Sequence, residues 1–168
     1  MTPIGHISVS YIAGRSLRNL SVPVVILGGL LPDFDFIFIF FDWFNGIHRI
    51  VSHNFLFVIV LSLFASALAP SGKKLTTGLS LCAGGIIHLL IDSCMDTNPT
   101  NGIGVALLWP FSNVMYSPFN LVHASLNTPG WGTPLKMVKT LVPGLLYEVP
   151  WYILALFLLT KKKGKIAA

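Results

Sequence analysis

What this chain most lacks is charge. Asp, Glu, Lys and Arg make up 10% of its 168 residues, while apolar residues make up 54%; a soluble domain carries about 25% charged residues. So little charge cannot cover a water-facing surface, and lipid must be the solvent for much of the chain. Cysteine is scarce too. Cys82 and Cys94 would lie about 18 Å apart along a helix, too far for a disulfide, and they read as buried thiols. There is no Cys-x-x-Cys-His, so the c-type haem attachment motif is missing. No basic region precedes the first apolar stretch and no clear small-residue cleavage site follows it, so the N-terminus does not read as a signal peptide. Internal repeats are absent, and the basic tail is the single biased tract.

The net charge of +5 does not point to nucleic acid. The basic residues fall in short clusters at Arg15/Arg18, Lys73/Lys74, Lys136/Lys139 and Lys161, Lys162, Lys163 and Lys165. Clusters placed between apolar runs are the flanks of membrane spans. A span needs about 20 mostly apolar residues, and four runs come close: 22–41, 53–70, 75–94 and 141–160. A shorter stretch, Ile4 to Gly14, precedes them. The expectation is an all-α, single-domain membrane bundle over 1–168. It has about four transmembrane helices, a short N-terminal helix within 1–21, a loop or lid at 95–140 and a basic tail at 161–168.

Loop charge sets orientation. Arg15/Arg18, Lys73/Lys74 and the C-terminal lysines share one side of a four-span chain, which should be cytoplasmic in a multi-pass protein of the plasma (inner) membrane. The segments 42–52 and 95–140 fall on the other side, although Lys136 and Lys139 lie there too. The 95–140 segment is rich in Asn, Pro, Gly, Ser and Thr and holds an apolar island, Val105 to Phe111. A loop of that length is often functional. A lid or interfacial segment is expected, with Trp109 and Trp131 at headgroup depth.

The chemistry-bearing residues gather at the ends of these runs. His88 and Asp92 are i and i+4 and share a helix face, with Gly84 one turn earlier, where it would admit a neighbouring helix. The pair can bind one divalent metal or simply bond to each other. In Gly28-Gly29-Leu30-Leu31-Pro32-Asp33-Phe34-Asp35, proline removes a backbone donor and disrupts the helix. The two carboxylates that follow would face one way in an extended segment and diverge in a helix. A broken helix at membrane depth lines a polar cavity or is buried in protein; otherwise the acids cap the next turn. Between the first two long runs lies His48-Arg49-Ile50-Val51-Ser52-His53. His53, at a helix start that Ser52 could cap, is the better ligand candidate there, and His6 is a weaker one. Glu148, inside the last run beside Pro150, either supports a ligand histidine or is protonated and bonded to a freed carbonyl. His123 and Asp96 read as surface groups, and the Phe-rich run 36–44 as lipid-facing span and headgroup anchor.

Asp33, Asp35 and Asp92 would together cost about 8–10 kcal/mol if deep and ionised. Structural zinc contributes roughly 10–16 kcal/mol in small peptides, so one or two divalent ions would offset that cost and nearly neutralise the three acids. Imidazole with carboxylate suits Zn²⁺, then Mn²⁺ or Fe²⁺.

The same residues carry a family resemblance. Thr2-Pro3-Ile4-Gly5-His6, Gly29-Leu30-Leu31-Pro32-Asp33-Phe34-Asp35, His48-Arg49-Ile50-Val51-Ser52-His53-Asn54, His88-Leu89-Leu90-Ile91-Asp92 and Gly102 through Leu107-Leu108-Trp109-Pro110-Phe111-Ser112 occur in order over roughly 1–112. This succession resembles the YdjM-like family of LexA-regulated inner-membrane proteins described as metal-dependent hydrolases. That family is distantly similar to the all-helical zinc-dependent phospholipase C and single-strand nuclease enzymes. The resemblance implies Asp33, His53, His88 and Asp92 as ligands and His6 as a further one. Two stretches depart from the family pattern: Ser52 and Asn54 flank the second histidine, and a longer polar turn follows Asp92. The second departure bears on the shape of a substrate pocket.

Together these features lead to one expectation. Asp33, His53, His88 and Asp92 hold the metal, and His6, Asp35 and His48 complete or support it. Glu148 stands behind them, and Arg49 binds an anionic substrate oxygen. A metal-activated water would cleave a phosphate ester or other ester of a membrane-associated substrate such as a phospholipid or prenyl phosphate. Two other classes stay open at this level: a transporter or ion- and proton-handling bundle built on the same His/Asp cluster, and a non-catalytic membrane protein with a structural metal.

Overall fold

Where an apolar run begins behind a good cap, this chain is helical. The computed structural model describes residues 1–38, 40–41, 43–94, 104–118 and 134–161, with backbone alone at 45–46, 134–141 and 143–144. Among them the chain is all-α: α1 (Pro3–Ser16), α2 (Val22–Leu30), a 3-10 helix (Leu31–Phe38), α3 (Phe44–Ile47), α4 (Phe55–Leu68), α5 (Lys74–Cys94) and α6 (Pro134–Thr160). Thr2 caps α1 by accepting the Gly5 N–H at 3.1 Å, and Pro3 fills the first turn. Asn54 caps α4 by accepting the Phe57 N–H at 2.8 Å. The cap expected of Ser52 therefore falls two residues later, which releases Ser52 for another partner.

α5 is the hub. It packs against α2, α4 and α1, and α1 packs in turn on α2 and α6. Small residues set the closest crossing: a Cβ on Gly84 would overlap the Val25 carbonyl and lie 2.7 Å from the Gly29 nitrogen. α1 and α6 are pinned at both ends. Arg15 Nη2 donates to the carbonyls of Leu158 (3.4 Å) and Lys161 (3.5 Å), groups the helix end leaves without partners. At the far end the Thr2 N–H donates to Glu148.

Among the described residues one helix, Lys74–Cys94, is long and apolar enough to cross a membrane; its rise of about 31 Å matches the hydrocarbon thickness of about 30 Å. Phe55–Leu68 is apolar but shorter, and Leu145–Thr160 is the apolar, fully described part of the longer α6. Of the four spans expected from run length, one is clear by length and composition among the described residues. The run from 22 leaves α-helical register at Leu31, where Pro32 supplies no N–H. The run from 53 gives up its start to the turn that carries His53. The last helix begins at Pro134, inside the segment expected as a loop.

Burial is inverted relative to a water-soluble domain. Among the described residues nine buried side chains are hydrophobic and fifteen are polar or charged, while Leu63, Phe64, Leu68, Leu75, Ile153 and Leu156 face outward. A polar interior inside an apolar exterior is the arrangement lipid solvent favours, not water.

The apolar island is tied into the bundle by backbone hydrogen bonds. Val105 and Tyr116 exchange two backbone hydrogen bonds (3.0 and 2.9 Å). The Ala106 N–H donates to the Arg49 carbonyl at 3.1 Å, and the Leu107 carbonyl accepts from the Phe55 N–H at 3.0 Å. This strap ties down the segment that holds Arg49 and His53; Trp109 within it is half-buried. Asp96, His123, Trp131 and the lysines beyond Lys161 lie outside the described residues, as do the side chains of Lys136 and Lys139.

Candidate metal centre

Two breaks in regular structure and one helix face meet at one end of the bundle. Asp33 comes from the 3-10 helix, His53 from the turn ahead of α4, and His88 and Asp92 from one face of α5. All four are buried, and one ligand atom from each lies within 4.8 Å of the others. The separations are His53 Nε2–Asp33 Oδ1 3.4 Å, His53 Nε2–Asp92 Oδ2 3.7 Å, His88 Nε2–Asp33 Oδ1 3.8 Å and His88 Nε2–Asp92 Oδ2 3.5 Å. The two Nε2 atoms are 3.1 Å apart. Zinc bonds of about 2.0–2.2 Å in a tetrahedron put ligand atoms roughly 3.3–3.6 Å apart; the five separations above bracket that range, so this donor set could hold one such ion.

Hydrogen bonding fixes what the rings present. His88 Nδ1 lies 2.8 Å from the Gly29 carbonyl, which can only accept, so Nδ1 carries the proton. Ser52 donates its hydroxyl proton to Asp35 Oδ2 at 2.7 Å, so its oxygen accepts from His53 Nδ1 at 2.9 Å. Both Nε2 atoms are therefore lone pairs. They face each other and two carboxylates, with no proton among them. A ring whose one proton is held at Nδ1 is neutral, as a ligand must be.

His6 enters from α1. It stacks on His88 with ring centroids 3.8 Å apart, and its Nε2 lies 3.2 Å from Asp92 Oδ1 and 3.7 Å from Asp33 Oδ2. These are the oxygens of the two acids turned away from the closest approach of His53 and His88. His6 Nε2 and Asp33 Oδ2 are buried without a hydrogen bond of good geometry. The Met1 amino group sits 2.9 Å from Asp92 Oδ1.

Asp35 and His48 stand one shell further out. His48 Nδ1 donates to both Asp35 oxygens at 3.0 Å, and its ring meets His53 edge-on at 4.8 Å. With His53 they also form a group of metal-binding type, though Ser52 already occupies the His53 Nδ1 side. Arg49 holds a left-handed backbone, φ 67°, a conformation that costs a non-glycine residue about 1–3 kcal/mol. The strap bond to its carbonyl helps hold it there. The side chain turns inward, with Nη2 3.9 Å from Asp92 Oδ2.

Glu148 plays a different part from the one expected. Among the described residues it hydrogen-bonds to no ligand histidine. It accepts the Thr2 N–H at 2.6 Å, the Thr2 hydroxyl at 2.5 Å and the Tyr152 hydroxyl, and so anchors the α1 end from which His6 projects. The cysteines are half-buried free thiols and not buried ones. The sequence reading passed over Thr2, Tyr152 and the bridging role of Ser52. Only Ser52, next to a candidate ligand, carried a signal.

The family model described as YdjM inner membrane protein matches residues 1–165. No curated protein and no solved structure matches the chain. The chain belongs to the YdjM inner membrane protein family, which agrees with the polar interior and apolar exterior in placing it in a membrane.

Proposed function

We propose that this chain is a multi-pass membrane hydrolase in which Asp33, His53, His88 and Asp92 hold a divalent ion, zinc by preference. Its substrate would be a phosphate ester or other ester of a membrane-associated molecule, a phospholipid or prenyl phosphate by class. The observation that carries the reading is the convergence of two imidazole lone pairs and two carboxylates with no proton among them. Of the two acids, the Met1 amino group and Arg49 reach only Asp92, so the two acids and two lone pairs are under-compensated, and a cation among the four would stabilise them. When bound, the ion supplies positive charge and a water of lowered pKa. His6, facing the second oxygens of Asp33 and Asp92, would extend the site to a second ion. Asp35 orients His53 through Ser52, with His48 behind it. Arg49 offers a fork of donors to an anionic oxygen of the substrate.

Charge placement supports an orientation. Arg15, Arg18, Lys73, Lys74 and Lys161 gather where α1, α4 and α6 end and α5 begins, opposite the His/Asp cluster. With that end cytoplasmic, the cluster sits about 21 Å along α5 from Lys74 by helical rise, in the outer half of the bilayer. α2 with its 3-10 extension, α4, α5 and α6 would make the four passes.

Metal analysis by mass spectrometry on detergent-purified protein tests the reading. Wild type should carry about one or two transition-metal ions per chain. The folded His88→Ala/Asp92→Ala double variant should carry none, and phosphoester turnover in detergent, without any gradient, should follow the metal. A wild-type chain that stays metal-free after reloading would sink the hydrolase and move the cluster to proton or ion handling.

A further inference from the structure

The tautomer of His88 depends on a carbonyl that a regular helix would not leave open. The Leu31 N–H still reaches the Leu27 carbonyl in α-helical register. From Leu31 to Phe38 the chain is a 3-10 helix, in which each N–H reaches back three residues. In that register an N–H at position 32 would take the Gly29 carbonyl, and the Asp33 N–H takes that of Leu30. Proline at 32 has no N–H. The Gly29 carbonyl is left for a side chain, and buried His88 Nδ1 occupies it at 2.8 Å. The approach is possible because Gly84, one turn before His88 on α5, has no Cβ to collide with α2.

We infer that Pro32 is a positioning residue for His88. By withholding the N–H that would compete for the Gly29 carbonyl, it holds His88 with Nδ1 protonated and the Nε2 lone pair turned toward His53, Asp33 and Asp92. A residue with an N–H at 32 puts a second donor on one carbonyl. His88 then gains access to the other tautomer, whose Nε2–H points into the ligand set. The effect on metal affinity rests on the metal-site reading above; the tautomer does not.

The test uses the full chain in detergent with ¹⁵N-labelled histidine. The ¹⁵N shifts of His88 are read in metal-free protein, and Zn²⁺ affinity is read by chelator competition. Wild type should show a single His88 tautomer protonated at Nδ1. Pro32→Ala should show a mixture with the Nε2-protonated form and bind Zn²⁺ about 10–100-fold more weakly. A backbone ester at position 32, with lactic acid in place of proline, removes both the N–H and the ring; it should restore the wild-type tautomer and affinity. An Nε2-protonated His88 in wild type overturns the inference whether or not any variant folds. So does a Pro32→Ala chain with an unchanged tautomer. So does an ester variant that behaves like Pro32→Ala, since the effect would then belong to the rigidity of the ring. If the tautomers behave as stated and no form binds Zn²⁺, this inference stands and the metal reading falls.

Discussion

Two buried acidic regions of this molecule face opposite problems. At the α1–α6 corner, Glu148 accepts from the Thr2 N–H, the Thr2 hydroxyl and the Tyr152 hydroxyl. Its charge is met by neutral donors the fold supplies. At the α2–α4–α5 end, Asp33 and Asp92 face His53 and His88, whose protons are committed elsewhere. There the His53 and His88 protons point outward; the Met1 amino group meets Asp92 Oδ1 at 2.9 Å and Arg49 Nη2 stands 3.9 Å from Asp92 Oδ2, while Asp33 Oδ2 has no hydrogen-bond partner among the described residues. A hydrogen-bonded buried carboxylate stabilises a fold; converging carboxylates and lone pairs destabilise it unless a cation is present. Glu148 is thus a fastening, and the Asp33–Asp92 cluster a socket.

The sharpest way to break that contrast is to remove one wall of the socket. Asp33→Asn should abolish metal binding. It should also cancel the stability wild type loses to a chelator, on the order of 4 kcal/mol when free metal stands at 1,000 times its dissociation constant. In stripped protein the same variant should unfold no earlier than stripped wild type, because it removes a repulsive charge. Detergent unfolding curves with and without chelator decide this. A stripped Asp33→Asn chain well below stripped wild type would make Asp33 a fastening like Glu148.

Glu148→Gln should show the converse pattern at smaller size. The amide presents two donors where Thr2 and Tyr152 also donate, so stability should fall by about 1–3 kcal/mol while the folded chain keeps its metal stoichiometry. If the metal were lost from protein whose unfolding midpoint had not moved, Glu148 would belong to the socket.

The sequence made the socket legible and the fastening illegible, for reasons of geometry. His88 and Asp92 share a helix face by spacing alone, and Pro32 marked the break that turns Asp33 inward. Thr2 and Glu148 are 146 residues apart, and no local period links them. Helical rise gave Glu148 the right depth, level with the histidines, but depth along an axis does not say which neighbour a side chain meets. Span length was hard to read for a related reason. Counting apolar residues from 22 to 41 measures a run's composition, while the backbone leaves α-helical register at Leu31. The inverted burial is legible only as a shortage of charge; which polar groups fill the interior needed the packing of α5 against α1, α2 and α4. Ser52 was misread as a cap because the residue before a helix start usually is one, and Asn54 holds that place.

Ser52 joins the two kinds of chemistry and gives the finest test of the contrast. Its hydroxyl donates to Asp35, an acid satisfied like Glu148, and its oxygen takes the His53 Nδ1 proton, which sends the Nε2 lone pair into the socket. Ser52→Ala removes that acceptor and leaves the ligand atoms in place. The expected result is about a tenfold loss of metal affinity, with stability changed by about 1 kcal/mol or less and metal count at saturation unchanged. Chelator competition reads the first, unfolding in detergent the second and mass spectrometry the third. Unchanged affinity would mean that packing against His48 and His88 alone orients His53. Complete loss of metal would mean that Asp35 reaches the ion directly, and the boundary between ligand and support would move outward by one residue.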